Sequence, residues 1–127
     1  MVSFLKVLEE NVLDVIVILK KGVDQDFIDK VFVQTTTFLA SKGKRGIIFH
    51  VFTDLDRPLY IEYFRSVLQK NISYTITLRY YNLSNEKLKE FLDHMISEKR
   101  ELIVFAPQRE TDLVKEIESL GIKVYTV

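Results

Sequence analysis

One stretch decides the fold: VLDVIVIL at residues 12–19, in which a single acid, Asp14, interrupts seven aliphatic residues. A run of this kind, rich in β-branched residues, is typical of a central strand in a parallel sheet that is covered on both faces. Residues 47–52 and 102–105 have the same character, whereas 72–78 alternate between apolar and polar side chains. Together with a fifth candidate at 122–127, these runs predict five strands with residues 12–19 at the centre.

Helical periodicity fills the gaps between the strands. Apolar residues at helical spacing predict helices that begin at the capping residues Asp24, Asp56 and Ser84, and a last helix over 113–120. A short amphipathic helix is expected at 4–8. Strands and helices that alternate along the chain fold with right-handed crossovers, so we expect a doubly wound, open α/β sheet of five parallel strands with helices on both faces.

Composition narrows the class of protein. The absence of cysteine excludes disulfides and cysteine-ligated metals. Eighteen basic residues balance eighteen acidic ones, so there is no basic surplus to favour nucleic acid. The longest aliphatic run, 15–19, is far shorter than the roughly 20 residues that span a membrane, and no signal peptide is evident. No linker or repeat divides the chain, and we therefore expect a cytoplasmic protein with a single α/β domain over 1–127.

Candidate ligand-binding residues follow the predicted strands. In doubly wound sheets, ligands bind beyond the carboxyl ends of the strands, and helix N-termini there favour anions. Four cations are predicted at this edge, which suggests a small anionic ligand or a nucleotide. The alternative is that they are solvated loop charges. The ligand-binding hypothesis comprises Lys20, Lys21, Asp24, Thr53, Asp54, Arg79 and Arg109.

Specific catalytic motifs are absent. The sequence has neither G-x-G-x-x-G nor G-x-x-x-x-G-K-[ST], so no familiar phosphate loop is present. Asp54 and Asp56 are spaced as in the first motif of haloacid-dehalogenase-type phosphatases, and two such carboxylates can hold Mg²⁺. The Gly-Thr that continues that motif is missing, and Asp56 is also the predicted cap of a helix. His50 is expected to be a hydrogen-bonded core residue, and no catalytic residue, metal or cofactor is assigned.

Three segments resemble strands of the universal stress protein family. GIIFHVF at 46–52 follows a long amphipathic helix and is similar to the family's second strand, and 102–105 and 123–127 are similar to its fourth and fifth strands. The resemblance implies strand order 3-2-1-4-5, an edge fifth strand, frequent dimers and a role in stress response. ATP-binding members carry an acid after the first strand and a glycine-rich loop after the fourth. Lys20 and Lys21 replace that acid and the loop is missing, so the chain resembles the non-ATP-binding branch.

Three functions follow as hypotheses. The leading one is a non-enzymatic regulatory or interaction domain that forms a homodimer through its last strand. That strand has neither proline nor any charge after its lysine, and an unprotected edge invites pairing with another chain. The second is a binding module for a small anion or nucleotide, and the third is a small Mg²⁺-dependent phosphatase or transferase using Asp54 and Asp56. The predicted dimer interface comprises Lys123, Val124, Tyr125, Thr126 and Val127.

Overall fold

A computed structural model describes residues 11–55 and 75–127, which form one sheet and the helices that flank it. In chain order the elements are β1 Val12–Leu19, α1 Gln25–Lys42, β2 Gly46–Thr53, β3 Thr75–Asn82, α2 Asn85–Ser97, β4 Leu102–Ala106, α3 Thr111–Glu118 and β5 Val124–Thr126. The strand order is β3-β2-β1-β4-β5 and every neighbouring pair is parallel. The expected order and the central place of residues 12–19 are confirmed.

β1 is buried along nearly its whole length because both of its faces are covered. Leu13, Val15 and Val17 pack with α1 on one side of the sheet. Ile16 and Ile18 pack with α2 and α3 on the other. Each fully buried side chain of this type stabilises the fold by about 1.5–3 kcal/mol, so this strand is the centre of both halves of the core. Helices on both faces were predicted, and the packing confirms them.

The helix boundaries follow local capping. The Asp24 side chain accepts a hydrogen bond from the Phe27 N–H at 3.1 Å, and Gly43 ends α1 in the left-handed region at φ 66°. Ser84 caps α2. The helices predicted at 4–8 and after Asp56 lie outside the described residues.

Two strands differ from their predicted limits. The third was predicted over 72–78, of which 72–74 lie outside the described residues, and β3 extends beyond the predicted end, covering Thr75–Asn82. Pairing with β2 continues to the end of that strand, so residues 79–82 belong to the sheet and not to a loop. The alternation of apolar and polar residues ends at 78, but tyrosine is a good strand former and extends the ladder. β5 is shorter than the predicted 122–127, since only Val124–Thr126 is assigned to the strand.

Candidate functional site

The carboxyl ends of the strands form a rim, defined here by residues 20–24, 53–55 and 106–110. Cations from different loops meet there, as expected, but Lys20 and Arg109 are paired with the chain's own groups. Lys20 Nζ lies 3.0 Å from a carboxylate oxygen of Glu110. Arg109 donates a hydrogen bond to the Lys21 carbonyl, and its Nε lies 3.8 Å from the second oxygen of Glu110. Much of the positive charge of the rim is therefore balanced internally.

Gly22 allows Arg109 to lie against the loop after β1. The glycine has φ 87°, and a Cβ there would stand 2.8 Å from Arg109 Nη2. The same loop is held from the opposite side, because the Lys21 N–H donates to Asp54 Oδ1 at 3.0 Å. At the edge where a doubly wound sheet usually receives a ligand, the loop after β1 is thus bonded to a guanidinium group and a carboxylate of this chain.

The remaining rim candidates have structural partners or lie elsewhere. Asp24 caps α1, and the buried Thr53 accepts a hydrogen bond from the Leu55 N–H at 3.0 Å. Arg79 is in register with His50 inside β3, three residues before that strand ends. The structure therefore brings Lys20, Lys21, Asp54 and Arg109 together and leaves Arg79 away from them.

A second polar cluster, which we call the buried charge cluster, lies between the sheet and α2. It consists of Asp14, His50, Tyr81 and Arg100. Asp14 Oδ1 lies 2.9 Å from His50 Nε2, and Asp14 Oδ2 accepts from Arg100 Nε at 2.8 Å and from Nη2 at 2.6 Å. The Tyr81 hydroxyl lies 3.5 Å from His50 Nδ1. Three strands and the connection after α2 thus contribute side chains to one cluster, in which His50 and Arg100 bond to the Asp14 carboxylate.

The backbone after α2 places the arginine in this cluster. Lys99 adopts φ 56°, a left-handed conformation that is costly for a residue with a Cβ. The turn lets the Arg100 N–H donate to the Met95 carbonyl at 3.1 Å and directs the arginine side chain back to the sheet. Phe91 of α2 packs on the His50 ring with centroids 4.9 Å apart. The cluster therefore fastens the end of α2 to β1 and β2.

Charge and burial determine the protonation of Asp14. Burial alone would raise its pKa, but hydrogen bonds from His50 and Arg100, with the positive charge of Arg100, hold the pKa below its ordinary value of 3.8. Because the carboxylate is ionised, His50 Nε2 carries the proton that it shares with Asp14, which leaves Nδ1 to face the Tyr81 hydroxyl. These contacts link β3, β2 and β1 to Arg100, which follows α2 in the chain.

The prediction that His50 is a hydrogen-bonded core residue is confirmed, but its partners were missed. The available signal was Asp14, the one acid in an aliphatic central strand. A buried charge needs a partner of opposite sign, yet the sequence alone does not say which of eighteen cations supplies it.

Other possible sites give weaker indications. A groove of about 360 Å³ between α2 and α3 has an apolar floor that includes Leu88 and Ile117. Its lip carries Glu86, Lys89 and Glu116, so both signs of charge are present and no ligand class is favoured. Within residues 11–55 and 75–127, no three acidic, histidine or cysteine side chains gather closely enough to hold a metal ion. Asp56, half of the proposed magnesium pair, lies outside those ranges.

The outer edge of β5 is the remaining feature. Tyr125 packs against Phe38 and Phe105 with ring centroids 5.1 and 5.7 Å apart, yet it is only partly buried. The Lys123 ammonium lies 4.8 Å from the centroid of the Tyr125 ring. β4 pairs with one side of this strand, and the strand order leaves the other side outermost.

Comparison with family models, curated proteins and solved structures gave no match. No helix in the described parts of the chain combines the length and apolar character needed to cross a membrane.

Proposed function

We propose that this chain is a non-enzymatic interaction domain that binds another polypeptide strand along the open edge of β5. The observation that carries the proposal is that β5 is the outermost strand of the sheet formed by residues 11–55 and 75–127, with no charged side chain among its three residues. Main-chain N–H and C=O groups on such an edge can form hydrogen bonds with another chain, and the addition of a strand to the sheet is a common way in which they do so. A regulatory role in the cytoplasm, of the kind that the universal stress protein resemblance implies for stress response, is part of this proposal.

The contacts within the rim favour a function at the β5 edge over ligand binding or catalysis at the rim. Arg109 lies against Gly22, and Glu110 pairs with Lys20 and with Arg109, so an anion that binds these two cations would have to displace existing contacts. Removing a charged group from a satisfied partner costs free energy that the ligand must recover. At the rim, these polar groups thus hold the loops after β1, β2 and β4 together.

A small-anion site is the second candidate, and Lys21 favours it. Its side chain is exposed beside the rim, while its backbone is fixed by Asp54 and Arg109. A phosphate could bind there if Arg109 turned from the Lys21 carbonyl to the ligand. The magnesium-dependent phosphatase or transferase has less support, since Asp54 already accepts a backbone hydrogen bond.

A thermal-shift panel separates these functions. The purified chain is heated with ATP, AMP, cyclic nucleotides or inorganic phosphate, each with and without Mg²⁺. A ligand at 100 times its Kd should stabilise the fold by about 2.7 kcal/mol, a clear shift in Tm. The interaction proposal predicts no shift with any compound. The double variant Lys21→Ala/Arg109→Ala tests the anion site, and Lys30→Ala/Arg45→Ala is its matched control. A shift that is lost in the first variant and kept in the second would replace the interaction proposal with the anion site. A shift that requires Mg²⁺ would favour the magnesium-dependent enzyme.

A further inference from the structure

The hydrogen bonds of β5 determine which of its groups face outward. The Val127 N–H donates to the Ala106 carbonyl at 3.2 Å, so the main-chain groups of residue 127 point to β4. Successive residues of a strand direct these groups to opposite sides, and Tyr125 therefore also faces β4. The N–H and C=O groups of Val124 and Thr126 face away from the sheet.

We infer that the strand bound at this edge is β5 of a second copy of the chain, antiparallel, with Tyr125 at the two-fold axis. The inference rests on the proposed function and names its partner. In this register Val124 lies opposite Thr126 of the second copy, so every outward group within β5 meets an outward group. A register shifted by one residue sets an outward residue against one that faces its own sheet. A shift by two residues leaves one outward residue of β5 without a partner inside the strand.

Side chains fit the same register. A two-fold axis perpendicular to the sheet keeps the α1 sides of both copies on one face, which sets the two Tyr125 rings beside each other. Each ring is already braced by Phe38 and Phe105, and a pair of aromatic residues that is not hydrogen-bonded through the main chain packs closely across antiparallel strands. The half-exposed aromatic surface would become covered.

Charge is compatible with this pairing. The Lys123 residues of the two copies lie at opposite ends of the paired segment, about 14 Å apart at roughly 3.4 Å per residue, so like charges do not face each other. The other outermost strand, β3, differs because the exposed Arg79 lies in its middle. A charge in that place protects an edge from association, and β5 has no equivalent.

A disulfide test exploits the absence of cysteine in the chain. Val124→Cys and Thr126→Cys proteins are prepared separately, then oxidised alone and as an equimolar mixture. Cross-strand residues have Cα atoms about 5.5 Å apart, within disulfide reach, whereas two copies of residue 124, or of residue 126, lie more than about 7 Å apart. We expect the mixture to give a disulfide-linked heterodimer. Its yield should be at least tenfold higher than the yield of linked dimer from either protein alone. The Lys115→Cys variant, with its cysteine at an exposed position of α3, gives the amount of cross-linking that random collision produces.

Two outcomes overturn the inference: equal cross-linking in the single and mixed samples, or cross-linking no greater than that of Lys115→Cys. Circular dichroism confirms that each variant is folded, and the mass of the unsubstituted protein by light scattering provides a second measurement that needs no variant. If the protein is a monomer and no compound in the thermal-shift panel changes its Tm, self-pairing is overturned but the broader interaction proposal is not. A ligand shift in that panel overturns the proposed function whatever the mass.

Discussion

Removing Arg100 from the buried charge cluster is expected to destabilise the fold strongly. In Arg100→Met the apolar stem is largely kept, but the Asp14 carboxylate loses both hydrogen bonds to its Oδ2 atom. The Asp14 side chain is 4% exposed, so water cannot replace the lost donors without opening the packing of α2. Among the described residues, only the hydrogen bond to His50 then remains to stabilise the charge.

The magnitude follows from this burial. Removing one member of a buried ion pair costs about 3–5 kcal/mol. The lower end applies because the Arg100 side chain is 22% exposed and His50 remains a partner. With an m value of about 1.5 kcal/mol/M, a loss of about 3 kcal/mol lowers the urea midpoint by about 2 M.

Equilibrium urea unfolding of Arg100→Met, Asp14→Asn and the double variant measures the effect and its coupling. We expect the double variant to lose at least 1 kcal/mol less than the sum of the single losses, because the first substitution already breaks the shared contact. Arg45→Met is the control: Arg45 is exposed and has no carboxylate partner among the described residues. It should change stability by no more than about 0.5 kcal/mol. An Arg100→Met protein as stable as this control would refute the account of the cluster.

Further predictions concern pH, backbone strain and the rim. The pKa of Asp14 is lowered in the folded state, so its contribution to stability is complete above its ordinary value of 3.8 and is lost as pH falls through the folded-state pKa. Between pH 6 and pH 3, the free energy of unfolding should therefore fall more steeply for the unsubstituted protein than for Asp14→Asn. An equal fall for the two proteins would contradict a lowered pKa of Asp14. Lys99→Gly should stabilise the fold by up to about 1 kcal/mol, since glycine adopts φ 56° without strain, and a lower Tm would argue against the left-handed turn. Lys21→Ala should leave the free energy of unfolding nearly unchanged because its side chain is exposed. Arg109→Ala should lower that free energy by about 1 kcal/mol through loss of the hydrogen bond to the Lys21 carbonyl, as measured by urea unfolding. Equal effects of the two substitutions would show that the Arg109 contact does not stabilise the loop.

The sequence predicts the sheet well because hydrophobic periodicity reports burial directly. Residues 12–19 are aliphatic on both faces, and a strand of that kind has to lie between covered neighbours. The caps at Asp24 and Ser84 were also predictable, since each depends on a bond within three residues along the chain. The end of β3 was missed because its last residues are held by pairing with β2 and not by local preference.

The polar contacts were much less predictable, for reasons of distance along the chain. Asp14 and His50 are 36 residues apart, and Asp14 and Arg100 are 86 apart. Their contact depends on strand register and on the turn at Lys99, which has no glycine to announce it. The rim shows the converse: the carboxyl ends did bring cations together, but Glu110, which pairs with Lys20 and Arg109, was not among the predicted site residues.

The association state tests the central claim that the β5 edge pairs with β5 of a second copy of the chain. Light scattering at tens of micromolar should give twice the 14.9 kDa chain mass for the unsubstituted protein and for Thr126→Val. It should give the single-chain mass for a folded Thr126→Pro variant, because proline removes an outward N–H but no hydrogen bond to β4. A monomer for the unsubstituted protein, or a Thr126→Pro variant that remains a dimer, would contradict pairing of the chain with itself at this edge.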